Sequence, residues 1–218
     1  MSNAGLLDLG EVWARLTVTV GGDLESDWCQ AGNYYQVYQE LSAAFLPGSI
    51  LEIGTRVGHS LIALGSENPR LRRIRWVDNE TYVASSNVLA RVNLGGFYKD
   101  FRPDWPLPEI DFSSAYPDSS SLRGQFDLCH VDGDHSYAGK LRDLEYCRVI
   151  DPLWIMADDF DYHAEARRAL GDWCSWSRKP LYRVATFRGL ALIPLYEPLQ
   201  AWTAARLATL SVASERVA

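Results

Sequence analysis

Nowhere in the chain do about 18 uninterrupted apolar residues occur, the length a membrane-spanning helix requires. The N-terminal stretch MSNAGLLDLGEVWARLTVTV also lacks a basic start, and it carries Asp8 and Glu11 where a secretory leader would be apolar. Neither a membrane helix nor a leader is therefore expected. Basic residues are in short supply too: 21 Lys and Arg stand against 28 Asp and Glu, for a net charge of −7. Nucleic-acid backbones and anionic membrane surfaces both demand a basic footprint, so the expected partner is a small molecule. Cysteine is scarce, with four residues (Cys29, Cys129, Cys147, Cys174) and no C-x-x-C pair. Cys129 lies inside an apolar run, which fits reduced structural thiols better than disulfides or a zinc site. A cytoplasmic protein is the expectation. Internal repeats and low-complexity stretches are absent.

What the chain does have is acid at the ends of apolar runs. Phe126–His135, FDLCHVDGDH, and Leu153–Asp159, LWIMADD, each read as a buried parallel strand that stops in carboxylates. Asp132 and Asp134 follow the first, Asp158 and Asp159 the second. If the strands are neighbours, about 4.8 Å apart, their C-terminal ends gather four acids around one small volume. Like charges that close raise one another's pKa unless a cation or a proton neutralises them. Oxygen-only ligands suit a hard divalent ion such as Mg²⁺. Helix capping, the plain alternative for a strand-end acid, accounts for one of the four but not for the set. His135 can enter as a fourth ligand or, with Asp134 as its rival, as a general base.

With 47% hydrophobic residues the chain can bury a full core, and 1–218 reads as a single α/β domain. Residues 33–46 carry apolar side chains at helical spacing and end at Pro47-Gly48. Next comes LEIGTRVGHSL, an apolar strand broken at Gly54 that passes Gly58 and Ser60 into a helix. Its glycines allow a tight turn and close backbone approach to a ligand, and Glu52 supplies an acceptor at the strand end. The spacing is not that of the nicotinamide-binding G-x-G-x-x-G. A second strand, Ile74–Val77, ends in Asp78, about 25 residues after the turn, an arrangement suited to binding ribose hydroxyls. Residues 83–94 read as a weak helix, and the aromatic, proline-broken 95–108 stretch (Phe97, Tyr98, Phe101, Trp105) as a loop that could serve as a lid. A third strand is placed in EIDFSSAY, residues 109–116. The helix after His135 is expected to turn Lys140, Arg142, Asp143, Glu145 and Arg148 to solvent. LYRVATF and LALIPLY face each other across Arg188-Gly189 as an antiparallel hairpin. Residues 1–32 form an N-terminal extension, and 197–218 an amphipathic C-terminal helix. The expected architecture is Rossmann-like and doubly wound, a mostly parallel seven-stranded sheet with a terminal antiparallel hairpin.

Strand-helix alternation, a glycine turn after strand one, an acid after strand two and a terminal hairpin resemble the class I S-adenosylmethionine-dependent methyltransferases. LEIGTRVGHSL, VDGDHSY and the DDF after strand five resemble more narrowly the metal-dependent O-methyltransferases that tailor sugars and natural products, the group of macrocin O-methyltransferase and proteins named for cephalosporin hydroxylase. The likeness spans roughly residues 35–195. It implies S-adenosylmethionine bound by Glu52, Gly54, Arg56, Gly58, Ser60 and Asp78, with Asp118 and Ser119 near the adenine. Arg56 is a departure, since many methyltransferases carry a glycine there. It also implies Mg²⁺ on Asp132, Asp158 and Asp159, with Asp134 or His135 removing a proton from a small hydroxylated metabolite. Other readings are a metal-independent N-methyltransferase and a cofactor-binding module without turnover. Oligomeric state is open, a homo-oligomer included.

Overall fold

The structure, a computed structural model, describes residues 6–16, 34–81 and 83–217. Cys29 and most of the N-terminal extension lie outside them. Within the extension, Leu9–Arg15 forms helix α1, capped by the Asp8 carboxylate, which accepts from the Gly10 N–H at 2.8 Å.

The chain then alternates as its periodicity predicts. In order come α2 (Tyr34–Phe45), β1 (Ser49–Ile53), α3 (His59–Ser66), β2 (Arg73–Val77), α4 (Ser86–Phe101), β3 (Glu109–Ser113), β4 (Leu128–Val131), α5 (Tyr137–Ile150), β5 (Trp154–Ala157), α6 (Ala164–Ser177), β6 (Tyr182–Val184), β7 (Leu190–Pro194), α7 (Glu197–Leu207) and β8 (Ser214–Arg216). The strands make one sheet ordered β3-β2-β1-β4-β5-β7-β6-β8. The first five are mutually parallel, and β7 enters antiparallel between β5 and β6.

Successive strand residues point to opposite faces, and the sheet is buried on both. Ile50, Ile74 and Leu128 pack under the face of α2, α3 and α4, whereas Leu51, Ile53, Cys129, Val131 and Ile155 pack under α5 and α6. Cys129, Cys147 and Cys174 are buried free thiols. The same alternation turns Glu52 and His130, register partners on β1 and β4, to the α2 side. A parallel sheet has its order reversal between β1 and β4, and ligands bind outside the strand C-termini at that point.

Four expectations need correction. The sheet has eight strands, not seven, because the tail is not helical throughout: Ser214–Arg216 pairs antiparallel with β6. Residues 95–101 are not a loop, since α4 runs on to Phe101. Ala90, Asn93, Leu94, Phe97 and Tyr98 repeat at helical spacing and are buried, and that packing overrides the Gly95-Gly96 break. The third strand stops at Ser113. Finally, Lys140 and Asp143 do not face solvent. With Leu144 and Cys147 they form an i, i+3, i+4, i+7 stripe and are fully buried. The Lys140 ammonium donates to the Val131 carbonyl at 3.3 Å, and Asp143 accepts from the Tyr116 hydroxyl at 2.6 Å.

Candidate active site

The turn after β1 is built on close backbone approach. Gly54 has φ +83° and packs so tightly on β4's end that a Cβ would overlap the Asp132 carbonyl. Gly58 has φ +86° and begins α3. Arg56 also adopts a left-handed φ, +49°, with its side chain exposed. The backbone N–H groups of Thr55 and Arg56 donate to Asp78 Oδ2 at 2.9 and 2.8 Å, while the Glu80 N–H and Ser86 hydroxyl donate to Oδ1 at 2.7 and 3.1 Å. Asp78 therefore shapes the glycine turn as well as standing at the β2 tip. Glu52 is fully buried and faces inward: it accepts from Thr55, from the Ser60 hydroxyl at 2.6 Å, and pairs with His130 Nδ1 at 2.6 Å. Burial pushes its carboxyl upward, against the pull of His130. Glu52 and Ser60 thus bind each other, and their service to a ligand is to hold the turn.

The acids after β4 and β5 do come together, but they divide their partners. Asp158 accepts from the hydroxyls of Tyr34 and Tyr38, the latter at 2.9 Å, and its Oδ1 takes the Asp159 N–H at 2.8 Å. Burial, then repulsion from Asp132 and Asp159, raises Asp158 to about 6. Asp159 pairs with Arg188 through Oδ1 and with His135 Nε2 through Oδ2 at 2.5 Å, and His163 Nε2 is 3.8 Å away. Asp132 Oδ1 stands 3.4 Å from the same His135 nitrogen. Burial disfavours the His135 charge, yet hydrogen bonds to Asp132 and Asp159 prevail and raise it to about 9. Asp134 lies outside this group, exposed. It accepts from the Ser136 N–H at 2.9 Å, a bond that holds its carboxyl below the usual range, in the turn just before α5, which Ser136 caps.

One cavity of about 880 Å³ joins the two regions, with Gly54, Arg56, His59, Ser60 and Asp78 at one end and Asp132, Asp134, His135, His163 and Arg188 at the other. Asp118 and Ser119 are not on its wall. Asp118 caps a 3-10 turn over Ser119–Leu122, accepting from the Ser120 N–H at 3.0 Å, and Ser114, Ala115 and Tyr116 line the cavity instead. Sequence reasoning missed Tyr34, Tyr38, His59, His130, His163 and Arg188. A histidine in the middle of the apolar LCHV run was the one local signal, since a buried imidazole needs a partner. His59 Nε2, buried at the start of α3, has no hydrogen-bond partner among the described residues, and burial lowers its pKa to about 4. It can accept a hydrogen bond from a ligand on the glycine turn.

Residues 51–152 match the family described as methyltransferase domain. Over those residues the chain is similar to methyltransferase domains, and its sheet has the Rossmann-like order of the class I fold. Solved methyltransferase structures share that fold at low identity. Cofactor-bound Rv0187 from MTB is 19% identical over 86% of this chain and 88% of that one, with a TM-score of 0.58. CalS11, a TDP-rhamnose 3'-O-methyltransferase of calicheamicin biosynthesis, is 17% identical over 85% and 90%, TM-score 0.56. The O-methyltransferase TomG from Streptomyces achromogenes, solved with S-adenosylmethionine, is 14% identical over 89% and 98%, TM-score 0.53. No curated protein matches significantly.

Proposed function

We propose that the protein moves the methyl group of S-adenosylmethionine to a hydroxyl oxygen of a small molecule. The continuity of the single cavity carries this reading, because cofactor and acceptor can share one chamber. The residues that would hold the cofactor are the turn from Gly54 to Ser60, Asp78 and Ser114–Tyr116. The orphaned His59 nitrogen and the side-chain-free Gly54 fit such a ligand. When bound, the cofactor supplies an electrophilic methyl group, so the protein's share is orientation and charge. Of the two candidate bases on the cavity wall, Asp134 is exposed and accepts from the Ser136 N–H, whereas His135 sits half-buried between Asp132 and Asp159. In its neutral form, favoured above a pH of about 9, His135 is the residue that would take the acceptor's proton. CalS11 and TomG, both O-methyltransferases, support an oxygen acceptor.

The residues fit Mg²⁺ only in part. Asp132 and Asp159 flank His135, but Asp158 is committed to Tyr34, Tyr38 and the Asp159 N–H, and Asp159 already carries Arg188. Three available carboxylates are not on offer, and no step is routed through a metal. Calorimetric titration with S-adenosylmethionine and S-adenosylhomocysteine, each with and without Mg²⁺, tests the proposal. Saturable binding of both is the expected outcome, and binding of neither overturns it.

A further inference from the structure

The cation beside the acid cluster belongs to the chain itself. Arg188 pairs with Asp159, lies 4.7 Å over the Tyr162 ring, and lines the same cavity as Asp132 and His135. Its place is fixed by the backbone around it. The Arg188 carbonyl accepts from the N–H groups of Asp161 at 2.9 Å and Tyr162 at 3.2 Å, and the Gly189 carbonyl from Phe160 at 3.0 Å. These bonds fasten the β6–β7 turn to the segment directly after Asp159. Gly189, at φ +74°, packs so closely on Asp161 that a side chain would overlap it. Arg183 in turn grips the Asp161 carboxylate at 2.9 Å through Nε. The turn cannot carry the guanidinium away without breaking this set.

Chemistry distinguishes a guanidinium from a divalent ion. It is always charged, it offers planar N–H donors, and it cannot complete a coordination shell. A metal can bring the pKa of a bound water down to about 7. A single positive neighbour lowers an acid by about 1 to 3 units. That is too little for an alcohol nearly as weak as water, and enough for a phenol, whose ordinary value is about 10. The chamber walls agree, because Tyr34, Tyr35, Tyr38 and Tyr116 line it with rings, and a planar ring packs well on such faces.

We propose that Arg188 is the cation of the acceptor subsite, in the place of a divalent metal, and that the acceptor is an aromatic hydroxyl of the phenol class. This rests on the methyl-transfer reading above. The acceptor's proton passes to neutral His135, at the ring nitrogen that Asp159 does not hold. The phenolate oxygen then forms the new O–CH₃ bond as the S–CH₃ bond breaks, and the sulfur keeps the electron pair.

The test uses the full chain loaded with S-adenosylhomocysteine. Wild type, Arg188→Gln and Arg188→Lys are each titrated calorimetrically with MgCl₂ and MnCl₂. The ionisation of bound para-nitrophenol is then followed by its absorbance. Wild type is expected to show no saturable metal binding and to lower the bound phenol's pKa by about 1 unit or more. Arg188→Gln should lose that shift and gain Mn²⁺ binding, while Arg188→Lys should keep most of the shift. Unchanged S-adenosylhomocysteine affinity in both variants shows that the fold has survived. Saturable Mg²⁺ or Mn²⁺ binding by wild type, no binding of the phenol, or a shift that survives Arg188→Gln each overturns the proposal. Failure of wild type to bind S-adenosylhomocysteine would instead strike the methyl-transfer reading itself.

Discussion

At the β1 and β2 ends the chamber wall is made largely of backbone. Gly54, Thr55 and Arg56 present main-chain groups, and Asp78, 23 residues from Thr55, holds them with one carboxylate oxygen. At the β4 and β5 ends the wall is made of side chains drawn from far apart. Tyr34 reaches Asp158 across 124 residues, and Arg188 arrives from the β6–β7 turn to meet Asp159. The first region tolerates little change in shape but makes few demands on distant sequence. The second is the reverse, because each acid there depends on a partner from another element. A cofactor common to many enzymes suits the first construction, and an acceptor particular to one enzyme suits the second.

The sharpest way to break the backbone-built half is Gly54→Ala. The new methyl group would meet the Asp132 carbonyl at a left-handed φ that L residues rarely adopt. We expect a cost of about 4 kcal/mol or more, the range reserved for core clashes and backbone strain, read as a lowered denaturation midpoint. A variant as stable as wild type would mean that the turn is loose and that the contrast between the halves is false.

That contrast also explains what could be read from the sequence. The glycine turn, Asp78 and the paired strand-end acids were legible because each motif is contiguous and rides on a strand with a clear apolar pattern. The places of the five parallel strands followed from the same alternation, whereas their order in the sheet came only with the structure. The partners of the acids were not legible. Nothing in NYYQVYQEL says that Tyr34 and Tyr38 turn toward Asp158, since an i, i+4 tyrosine pair on an amphipathic helix is ordinary core. Arg188 appeared only as a hairpin residue. Lys140 and Asp143 were assigned to solvent on charge alone, although their spacing with Leu144 and Cys147 already marks a buried face.

The side-chain-built half is sharpened by Tyr34→Phe and Tyr38→Phe. Each removes one hydroxyl donor from a carboxylate with no exposure, and a buried acceptor left short of donors costs about 1 to 3 kcal/mol. Because both hydroxyls share Asp158 Oδ2, the double variant should cost less than the sum of the singles. Chemical denaturation gives the three values. S-adenosylhomocysteine affinity should stay within about twofold of wild type, since neither ring supports the glycine turn. Strict additivity would show that the tyrosines do not act on one carboxylate.

Asp78→Asn probes the seam between the halves. The amide keeps an oxygen for the Thr55 and Arg56 N–H groups but loses the charge that strengthens both bonds. Cofactor affinity should fall by about 1 to 2 kcal/mol, roughly tenfold, with the end at Asp132 and His135 untouched. Equal losses at both ends would join what the geometry separates.

The smallest expected effect falls on Asp118→Ala, and it tests a residue that the family resemblance places near the adenine. In the structure Asp118 is exposed, its carboxylate accepts from the Ser120 N–H and hydroxyl, and the cavity wall nearby is Ser114–Tyr116. A capping carboxylate on a turn of four residues is worth at most about 1 kcal/mol to stability. Its removal changes no group that faces the chamber. Cofactor affinity should therefore stay within about twofold of wild type, while Tyr116→Ala, which opens the wall and strips Asp143 of its hydroxyl donor, should weaken binding measurably. The pair of titrations decides between the motif and the geometry. If Asp118→Ala loses affinity and Tyr116→Ala does not, the adenine lies beyond Ser119, and the backbone-built half extends further along the chain than the cavity indicates.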